Sequence, residues 1–188
     1  MSDITTYYLE RADDKTAAYR LRYEVFVSEC GDSRYTDHDR LIHQDSNDGR
    51  SDTILLGARQ AGCLVGTVRL TFRATTPLLG DSHYQWQILA QSANLPLEVV
   101  LMHVAVADRC AVAATRRRVG VATSLLQKAC VVATSHDMRL VVCAVSVSNI
   151  TASRLVQSIG FLPYGEPCGT DGWIANHYFR LLKPTIDV

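Results

Sequence analysis

Two periodicities of hydrophobic residues alternate along the chain, as in a mixed α/β domain. After the acidic pair Asp13-Asp14, apolar residues recur at helical spacing and predict a helix that Gly31 ends; they are Ala18, Leu21, Val25 and Phe26. A short aromatic strand is expected before this helix, over residues 5–9. The polar stretch 30–51 follows, and its length predicts a long loop of the kind that often binds ligands.

The clearest strand pair of the sequence is a hairpin. Apolar runs at residues 53–59 and 63–72 flank the turn Gln60-Ala61-Gly62, and a short glycine-containing turn between two such runs is typical of a β-hairpin.

Strands and helices also alternate in the second half of the chain. We expect a short helix at residues 84–93, buried strands at 97–106 and 140–147, amphipathic helices at 117–135 and 149–159, and a closing hairpin at 161–182. Gly160 is placed to end the last of these helices. The pattern predicts a mixed α/β (α+β) fold in one domain over residues 1–188.

Composition narrows the possible functions. The 188 residues include 19 basic and 19 acidic side chains, so the net charge of zero argues against a nucleic-acid-binding protein. The longest apolar run, residues 140–145, is too short to span a bilayer, and no signal peptide opens the chain, so we expect a cytoplasmic protein without a membrane span. Six cysteines without a CxxC pair predict reduced core thiols.

One turn has the pattern of a phosphate-binding loop. Arg117, Arg118, Val119, Gly120, Val121 and Ala122 join a predicted strand to a predicted helix, where backbone N–H groups at a helix start can hold a pyrophosphate. The alternative interpretation of the run Arg116-Arg117-Arg118 is a solvated turn. A second signature follows, because Asn149-x-x-Ala152 opens a helix that Gly160-Phe161 closes.

These motifs, in this order, resemble the GNAT family of acyl-CoA N-acyltransferases over roughly residues 53–182. The resemblance implies a central, mostly antiparallel sheet with a splayed strand pair, flanked by helices. It also implies acyl-CoA as co-substrate, bound at the loop 117–122 and near Asn149, with an acyl carrier protein as a possible donor and no metal.

The N-terminal third carries a narrower resemblance. Arg22-Tyr-Glu-Val-Phe26, the loop Asp37-His38-Asp39 and Gly66-Thr-Val-Arg69-Leu70 are similar to segments of the acyl-homoserine-lactone synthases and N-acyl amino acid synthases. The resemblance implies that Arg22, Phe26, Asp39 and Arg69 surround the substrate.

Each of these polar residues also has a plainer interpretation. Arg22 could form a structural salt bridge, and Arg69 could be a solvated strand arginine. The acidic loop residues Asp37 and Asp39, with His38 between them, could bind a metal, although no further ligands appear at useful spacing.

The resemblance also implies where the chemistry occurs. Backbone N–H groups of Val104 and Val106, on the splayed strand, would contact the thioester and pantetheine. His103 and Glu98 are the titratable residues of the predicted strand, and an imidazole is the better base at neutral pH, although His103 could instead be a core histidine. Val156 stands where many relatives have a tyrosine acid, so Tyr164, Tyr178 or solvent would have to protonate the leaving thiolate.

The function expected is transfer of an acyl group to a primary amine of an amino acid, an amino-acid-like metabolite or a peptide side chain, by a monomer or homodimer. An acetyltransferase of a protein or small-molecule amine is one alternative. A non-catalytic acyl-CoA-binding regulatory module is another.

Overall fold

The computed structural model describes residues 3–72, 84–170 and 173–183, and the chain divides into two compact units. Unit 1 consists of Met1–Thr71 and Ala107–Ala129, and unit 2 of Phe72–Val106 and Cys130–Val188. That residues 1–188 form a single domain stays a prediction.

The described residues form nine strands and five α-helices. In chain order the strands are β1 (Thr5–Tyr8), β2 (Thr36–Asp37), β3 (Ile42–His43), β4 (Thr53–Gln60), β5 (Cys63–Phe72), β6 (Val104–Val112), β7 (Leu140–Ser146), β8 (Leu162–Thr170) and β9 (Trp173–Leu181). The α-helices are α1 (Ala12–Arg22), α2 (Trp86–Ala93), α3 (Leu97–Met102), α4 (Val121–Ser135) and α5 (Ile150–Ser158). Short 3-10 turns cover Ser46–Gly49 and Ala114–Arg116, and a π-helical segment, Tyr23–Glu29, continues α1.

Unit 1 is built on the predicted hairpin. β4 pairs antiparallel with both β1 and β5, and the latter part of β6 borders β5. The two turn residues Ala61 and Gly62 have φ of +51° and +80°, the left-handed conformation that a two-residue hairpin turn requires. α1 packs its apolar face, including Ala18 and Tyr19, into a core that also contains Leu55.

Unit 2 contains the start of β6 and the last three strands. Val104–Val106 pair in parallel with β7, and β9 pairs antiparallel with both β7 and β8. Its core combines α2, α3 and these strands, and Leu89, Val100 and Leu140 are fully buried in it. Most strand pairs of the described residues are therefore antiparallel, which confirms the predicted mixed α/β class with helices flanking the sheet.

The segment 97–106 differs from its prediction. It is not one buried strand, because residues 97–102 form α3 and β6 begins only at Val104. Pro96 precedes the helix, where its missing N–H costs nothing, and its carbonyl accepts the first helical bond from Val100 N–H at 3.1 Å. A short apolar run fits either structure by periodicity alone.

The last predicted helix is confirmed. Asn149 caps α5, because its Oδ1 accepts the Ala152 N–H at 3.0 Å, and this bond explains the Asn-x-x-Ala spacing. Gly160 follows the helix with φ +88°, the conformation that ends helices at glycine. The closing hairpin is present as β8 and β9, and its turn residues 171–172 lie outside the described residues.

Candidate active site

Six charged side chains of unit 1 meet in one group, which we call the charge cluster. It consists of three arginines and three aspartates, namely Arg22, Asp45, Asp48, Arg69, Asp108 and Arg109. Four separate segments supply them: the end of α1, the turn before β4, β5 and β6. Their formal charges cancel, which is the condition under which charged groups are tolerated in a protein interior.

Arg69 is the centre of the charge cluster, and its side chain is 1% exposed. Its Nε and Nη2 donate to the two carboxylate oxygens of Asp108 at 2.8 and 2.7 Å, and its Nη1 donates to Asp45. Burial alone would lower the pKa of Arg69, but the surrounding carboxylates raise it. The interpretation of Arg69 as a solvated strand arginine is therefore wrong. Its guanidinium is already engaged by carboxylates of the chain itself.

The two buried acids opposite the arginines come from the 3-10 turn Ser46–Gly49, which the sequence analysis did not single out. Asp45 accepts the Asn47 N–H at 2.9 Å, and Asp48 accepts the Asp45 N–H at 3.0 Å, so the pair forms a reciprocal capping box. Burial would raise the pKa of Asp45, but hydrogen bonds and charge from Arg69 and Arg109 outweigh it and lower the pKa to about 2. Asp45 is therefore an anion at neutral pH.

Arg22, the last residue of α1, is fully buried. Its Nη1 donates to Asp48 Oδ1 at 2.7 Å, so the structural salt bridge considered above is present. Its Nε and Nη2 have no hydrogen-bond partner among the residues that the structure describes. The substrate-binding role expected for Arg22 stays a prediction.

A buried histidine and two aromatic rings border the charge cluster. The ring of His43 lies 5.1 Å from that of Phe26 and 6.3 Å from that of Tyr35, between centroids. Burial, with the charges of Arg109 and Arg22, lowers the pKa of His43 to about 4. The imidazole is therefore neutral at pH 7. Phe26, expected in the substrate pocket, is thus placed near the charge cluster, on the π-helical segment after α1.

The predicted phosphate loop has the backbone of an anion-binding turn. Arg118 and Gly120 have φ of +64° and +93°, left-handed conformations of the kind found in turns whose backbone N–H groups bind anions. The first helical bond of α4 runs from Ser124 N–H to Gly120 O at 2.9 Å, so the preceding N–H groups lie in the turn and first helical positions, which helices leave unpaired. A side chain at Gly120 would meet only Ile4, at 4.0 Å, which leaves open space over the loop.

The three arginines of this loop differ in their surroundings. Arg117 Nη2 donates to Glu29 Oε2 at 2.6 Å, and its Nε donates to the Val112 carbonyl at 3.2 Å. Arg116 and Arg118 are exposed and form no ion pair within the described parts of the chain. These two are the cations available to a phosphate.

A comparison with protein-family models assigns the chain. The model of the N-acyl amino acid synthase FeeM matches residues 17–167, most of the sequence. The chain belongs to the FeeM family of N-acyl amino acid synthases. It is therefore an N-acyltransferase, and the predicted resemblance is confirmed.

Solved structures share the fold of this FeeM-family chain. FeeM itself, from uncultured soil microbes, has a TM-score of 0.70 at 16% identity, over 95% of this chain and 90% of that one. BjaI, a CoA-dependent acyl-homoserine lactone synthase solved with SAM and isopentyl-CoA, has a TM-score of 0.71 at 20% identity, over 97% of this chain and 84% of that one. ElaA of Escherichia coli has a TM-score of 0.64 at 18% identity, over 96% of this chain and 99% of that one. No curated protein sequence matched the chain.

The two predicted bases of this FeeM-family chain do not lie on the strand where they were expected. Glu98 is exposed in the first turn of α3, and His103 is the residue between α3 and β6. His103 Nδ1 lies 3.0 Å from the carbonyl oxygen of Asp137. Because a carbonyl can only accept, Nδ1 carries the proton and Nε2 is left as the basic nitrogen. The catalytic roles of both residues stay predictions.

The predicted donor contacts on β6 and α5 stay predictions. Val104 and Val106 belong to the stretch of β6 that pairs with β7, and both are buried. The side-chain oxygen of Asn149 caps α5. The part of β6 beyond its pairing with β7 begins at Ala107.

Asp39 is exposed and is not a partner in the ion pairs of the charge cluster. It lines a groove of about 670 Å³ between α1, the π-helical segment and β3, together with Arg20, Glu24 and Arg40. In the same loop Asp37 accepts the Arg40 N–H at 3.0 Å, and His38 Nδ1 lies 3.1 Å from the Tyr23 hydroxyl. Asp45 and Asp48, rather than Asp39, thus accompany Arg22 and Arg69.

Both tyrosines considered as the acid for the thiolate are buried, and the role of Tyr178 stays a prediction. Val156 is buried on α5. The hydroxyl of Tyr164 donates to the Tyr84 carbonyl at 3.0 Å, and burial raises the pKa of Tyr164, which makes it a poor proton donor. Tyr178 is buried in β9. Solvent is left as the simplest proton source.

Three further properties concern the described residues only. They contain no group of three or more potential metal ligands. They contain no helix with the length and apolar character needed to cross a membrane. All six cysteines are among them and none forms a disulfide, but only Cys130 and Cys143 are buried, and Cys30 and Cys63 are exposed rather than in the core.

Proposed function

We propose that this N-acyltransferase moves an acyl group from acyl-CoA to the primary amine of an amino acid or an amino-acid-like metabolite. The observation that carries the proposal is that one compact unit contains both a phosphate-type loop and a buried, balanced charge cluster. The first suits the donor and the second suits a small polar acceptor. Membership of the FeeM family supports this pairing.

The donor end is supported by the loop 117–122. Its left-handed residues Arg118 and Gly120 and the start of α4 offer backbone N–H groups, and Arg116 and Arg118 add positive charge. A pyrophosphate needs this combination of donors and cations. An acyl carrier protein, which offers a single phosphodiester, is the alternative donor.

The acceptor end is supported by the charge cluster and by Phe26 and Tyr35 near it. Charged groups held at fixed positions can orient a substrate that itself carries charges, because the ordering of the site is complete before the substrate binds. Of the four residues expected around the acceptor, Arg22 and Arg69 belong to the cluster and Phe26 lies beside it, whereas Asp39 is not one of its members.

The reaction removes two protons from the acceptor nitrogen, returns one to the leaving thiolate and exchanges one bond. The acceptor ammonium first loses a proton, and the resulting amine nitrogen attacks the thioester carbonyl carbon. The C–N bond forms, the cationic nitrogen then loses its second proton to solvent, the C–S bond breaks, and the thiolate of coenzyme A leaves and takes a proton from solvent. The products are an N-acyl amine, coenzyme A and one proton. His103, through Nε2, is our proposed base.

The test incubates the protein with acyl-CoA donors of graded length and a pool of amines, and measures free thiol and product masses. We expect thiol release that depends on the amine, with an N-acyl amino acid among the products. Thiol release only with acetyl-CoA and a peptide would instead favour a protein acetyltransferase. No amine-dependent release with any donor would contradict the proposal.

Two matched glycine variants test the donor site. Gly120→Glu places a negative charge in the phosphate loop and should abolish coenzyme A binding. Gly62→Glu is the control, because Gly62 also has a positive φ, +80°, and has no atom within 4 Å of its side-chain position. Both variants carry the same conformational strain. Unchanged coenzyme A affinity in a folded Gly120→Glu protein would rule out the loop as the donor site.

A further inference from the structure

Two residues of the charge cluster reach solvent, and the other four do not. The side chains of Asp108 and Arg109 are 31% and 20% exposed. Those of Arg22, Asp45, Asp48 and Arg69 are at most 5% exposed. A molecule that approaches the cluster from solvent therefore meets one carboxylate and one guanidinium, side by side.

The backbone of β6 is distorted to present this pair. Consecutive strand residues normally point to opposite faces of a sheet. Asp108 and Arg109 nevertheless reach the same cluster, because Asp108 binds Arg69, Arg109 binds Asp45, and Arg69 itself binds Asp45. The exception is explained by Arg109, whose φ of +51° lies in the left-handed region. Few non-glycine residues adopt this conformation, and residues that do so often lie at functional sites.

Arg109 is also held in place by its neighbours. Its Nη2 and Nε lie 2.9 and 3.3 Å from Asp45 Oδ2, and its guanidinium carbon is 4.9 Å from the ring centre of Tyr35. Tyr35 has a positive φ of its own, +58°, and is 53% exposed. The remaining nitrogen, Nη1, makes no hydrogen bond to the described residues. Arg109 is thus held by Asp45 and Tyr35, is partly exposed, and keeps one donor that no described residue uses.

We propose that Asp108 and Arg109 are the specificity-determining pair for the acceptor, and that Arg109 binds its carboxylate while Asp108 receives its ammonium. The inference rests on the proposed function and narrows it. The acceptor is then a free amino acid or a similar zwitterion, and a peptide side chain is excluded because it has no carboxylate beside the reacting amine.

Charge balance favours a zwitterion over an ion of either sign. The cluster has three positive and three negative groups, so a guest with no net charge leaves it neutral. A guest with a net charge would add an unbalanced charge next to buried ion pairs, which is costly. Adjacent opposite charges on the protein fit a molecule whose ammonium and carboxylate groups are attached to the same carbon atom.

The test compares one acceptor with its carboxamide in two proteins. The pair has the same amine group and differs only in whether the carboxylate is present. The wild type should use the amino acid with a kcat/KM about 10–100-fold above that of the amide, the range expected for a charge-assisted bond. Arg109→Gln should remove that preference by weakening the amino acid alone. The ratio of kcat/KM for the amino acid to that for the amide is compared between the two proteins, because the different intrinsic reactivities of the two amines then cancel.

Arg59→Gln is the matched control, because Arg59 forms an exposed ion pair with Asp14 at 2.7 Å in the same unit. It should keep the wild-type preference. Tyr35→Ala provides a second variant that leaves all six cluster charges intact, and it should reduce the preference by removing the support under Arg109. Unfolding midpoints are measured for every variant.

The outcomes separate this inference from the proposed function. A preference for the amino acid over its amide that survives in folded Arg109→Gln would overturn the inference. An equal fall of kcat/KM for both acceptors in this variant would overturn it too. Either result leaves acyl transfer itself intact. Absence of amine-dependent thiol release in the wild type contradicts the proposed function, and the inference falls with it.

Discussion

A side-chain carbon on Gly66 would lie 2.6 Å from Cγ1 of Val121, the first residue of α4. It would also lie 3.0 Å from Leu125 on the next turn. The start of α4 therefore rests directly on the backbone of β5, three residues before Arg69. This contact fixes the position of the loop that precedes α4, so Gly66 is a positioning residue for the donor site proposed at that loop.

Gly66→Ala should push α4 away from β5. Valine cannot move its methyl groups out of the way by rotation in a helix, so the helix start must shift. We expect a loss of about 1–3 kcal/mol in the free energy of unfolding, typical of overpacking, together with weaker coenzyme A binding. Denaturant titration and calorimetric binding measure the two effects.

Gly49→Ala is the control for this variant, because nothing lies within 4 Å of its side-chain position. It should leave coenzyme A affinity unchanged. Wild-type affinity in Gly66→Ala would mean that the position of the loop does not depend on the contact with Val121.

Features with local sequence signals were predictable. The hairpin β4–β5 and the capped helix α5 follow from turn residues and caps within a few positions of each other. The helix α3 was missed because six apolar-rich residues do not distinguish helix from strand. Pro96 directly before it was the available signal.

The charge cluster depends on long-range pairing, and this limited its prediction. Arg22 lies 26 residues from its partner Asp48, and Arg69 lies 24 residues from Asp45 and 39 from Asp108. The sequence indicated that Arg22 borders an apolar face and so needs a partner, but it did not identify the acid. The capping-box spacing of Asp45 and Asp48 was a local signal that could have drawn attention to them.

Arg69→Lys should destabilise the fold, because Arg69 is buried and ion-paired in the charge cluster. Lysine keeps the charge but cannot make the two parallel bonds to Asp108 and the bond to the buried Asp45 at the same time, so carboxylates of the cluster lose a partner. We expect a loss on the order of 3 kcal/mol in the free energy of unfolding. Chemical denaturation measures it.

Two surface variants provide the contrast. Arg59→Lys alters an exposed pair, for which a change under about 1 kcal/mol is expected. Asp39→Asn should likewise stay within about 0.5 kcal/mol, because its side chain is exposed. An Arg69→Lys protein as stable as these two would show that the cluster is not a stabilising unit.

Stability should fall in mild acid because of His43. Unfolded histidine has a pKa of about 6.5, whereas burial and the charges of Arg109 and Arg22 lower the pKa of His43 to about 4. The unfolded chain therefore binds more protons between these values. The contribution is fully present above about pH 6.5 and is lost as the pH falls toward 4, by on the order of 3 kcal/mol.

His43→Leu tests this assignment without removing a hydrogen bond, because neither ring nitrogen has a partner among the described residues. The variant should have a flatter dependence of unfolding free energy on pH between about 4 and 6.5. His38→Leu, on the exposed loop, is the control and should keep the wild-type slope. An unchanged slope in His43→Leu would assign the acid sensitivity to other groups.

His103→Ala should lower turnover if Nε2 is the base that deprotonates the acceptor. The bond from Nδ1 to the Asp137 carbonyl, 3.0 Å, fixes the ring, and in the neutral imidazole it places the basic lone pair on Nε2. A loss of about 10²–10⁴-fold in kcat is the usual effect of removing a positioned base, and coenzyme A affinity should not change. The kcat of the variant should also rise with pH where that of the wild type is level, because hydroxide and the free amine then replace the imidazole.

Glu98→Ala is the comparison, since Glu98 is exposed in α3, and it should keep the wild-type rate. Loss of turnover in Glu98→Ala with full activity in His103→Ala would transfer the role to Glu98. Full activity in both would leave proton removal to water or to a group outside this pair.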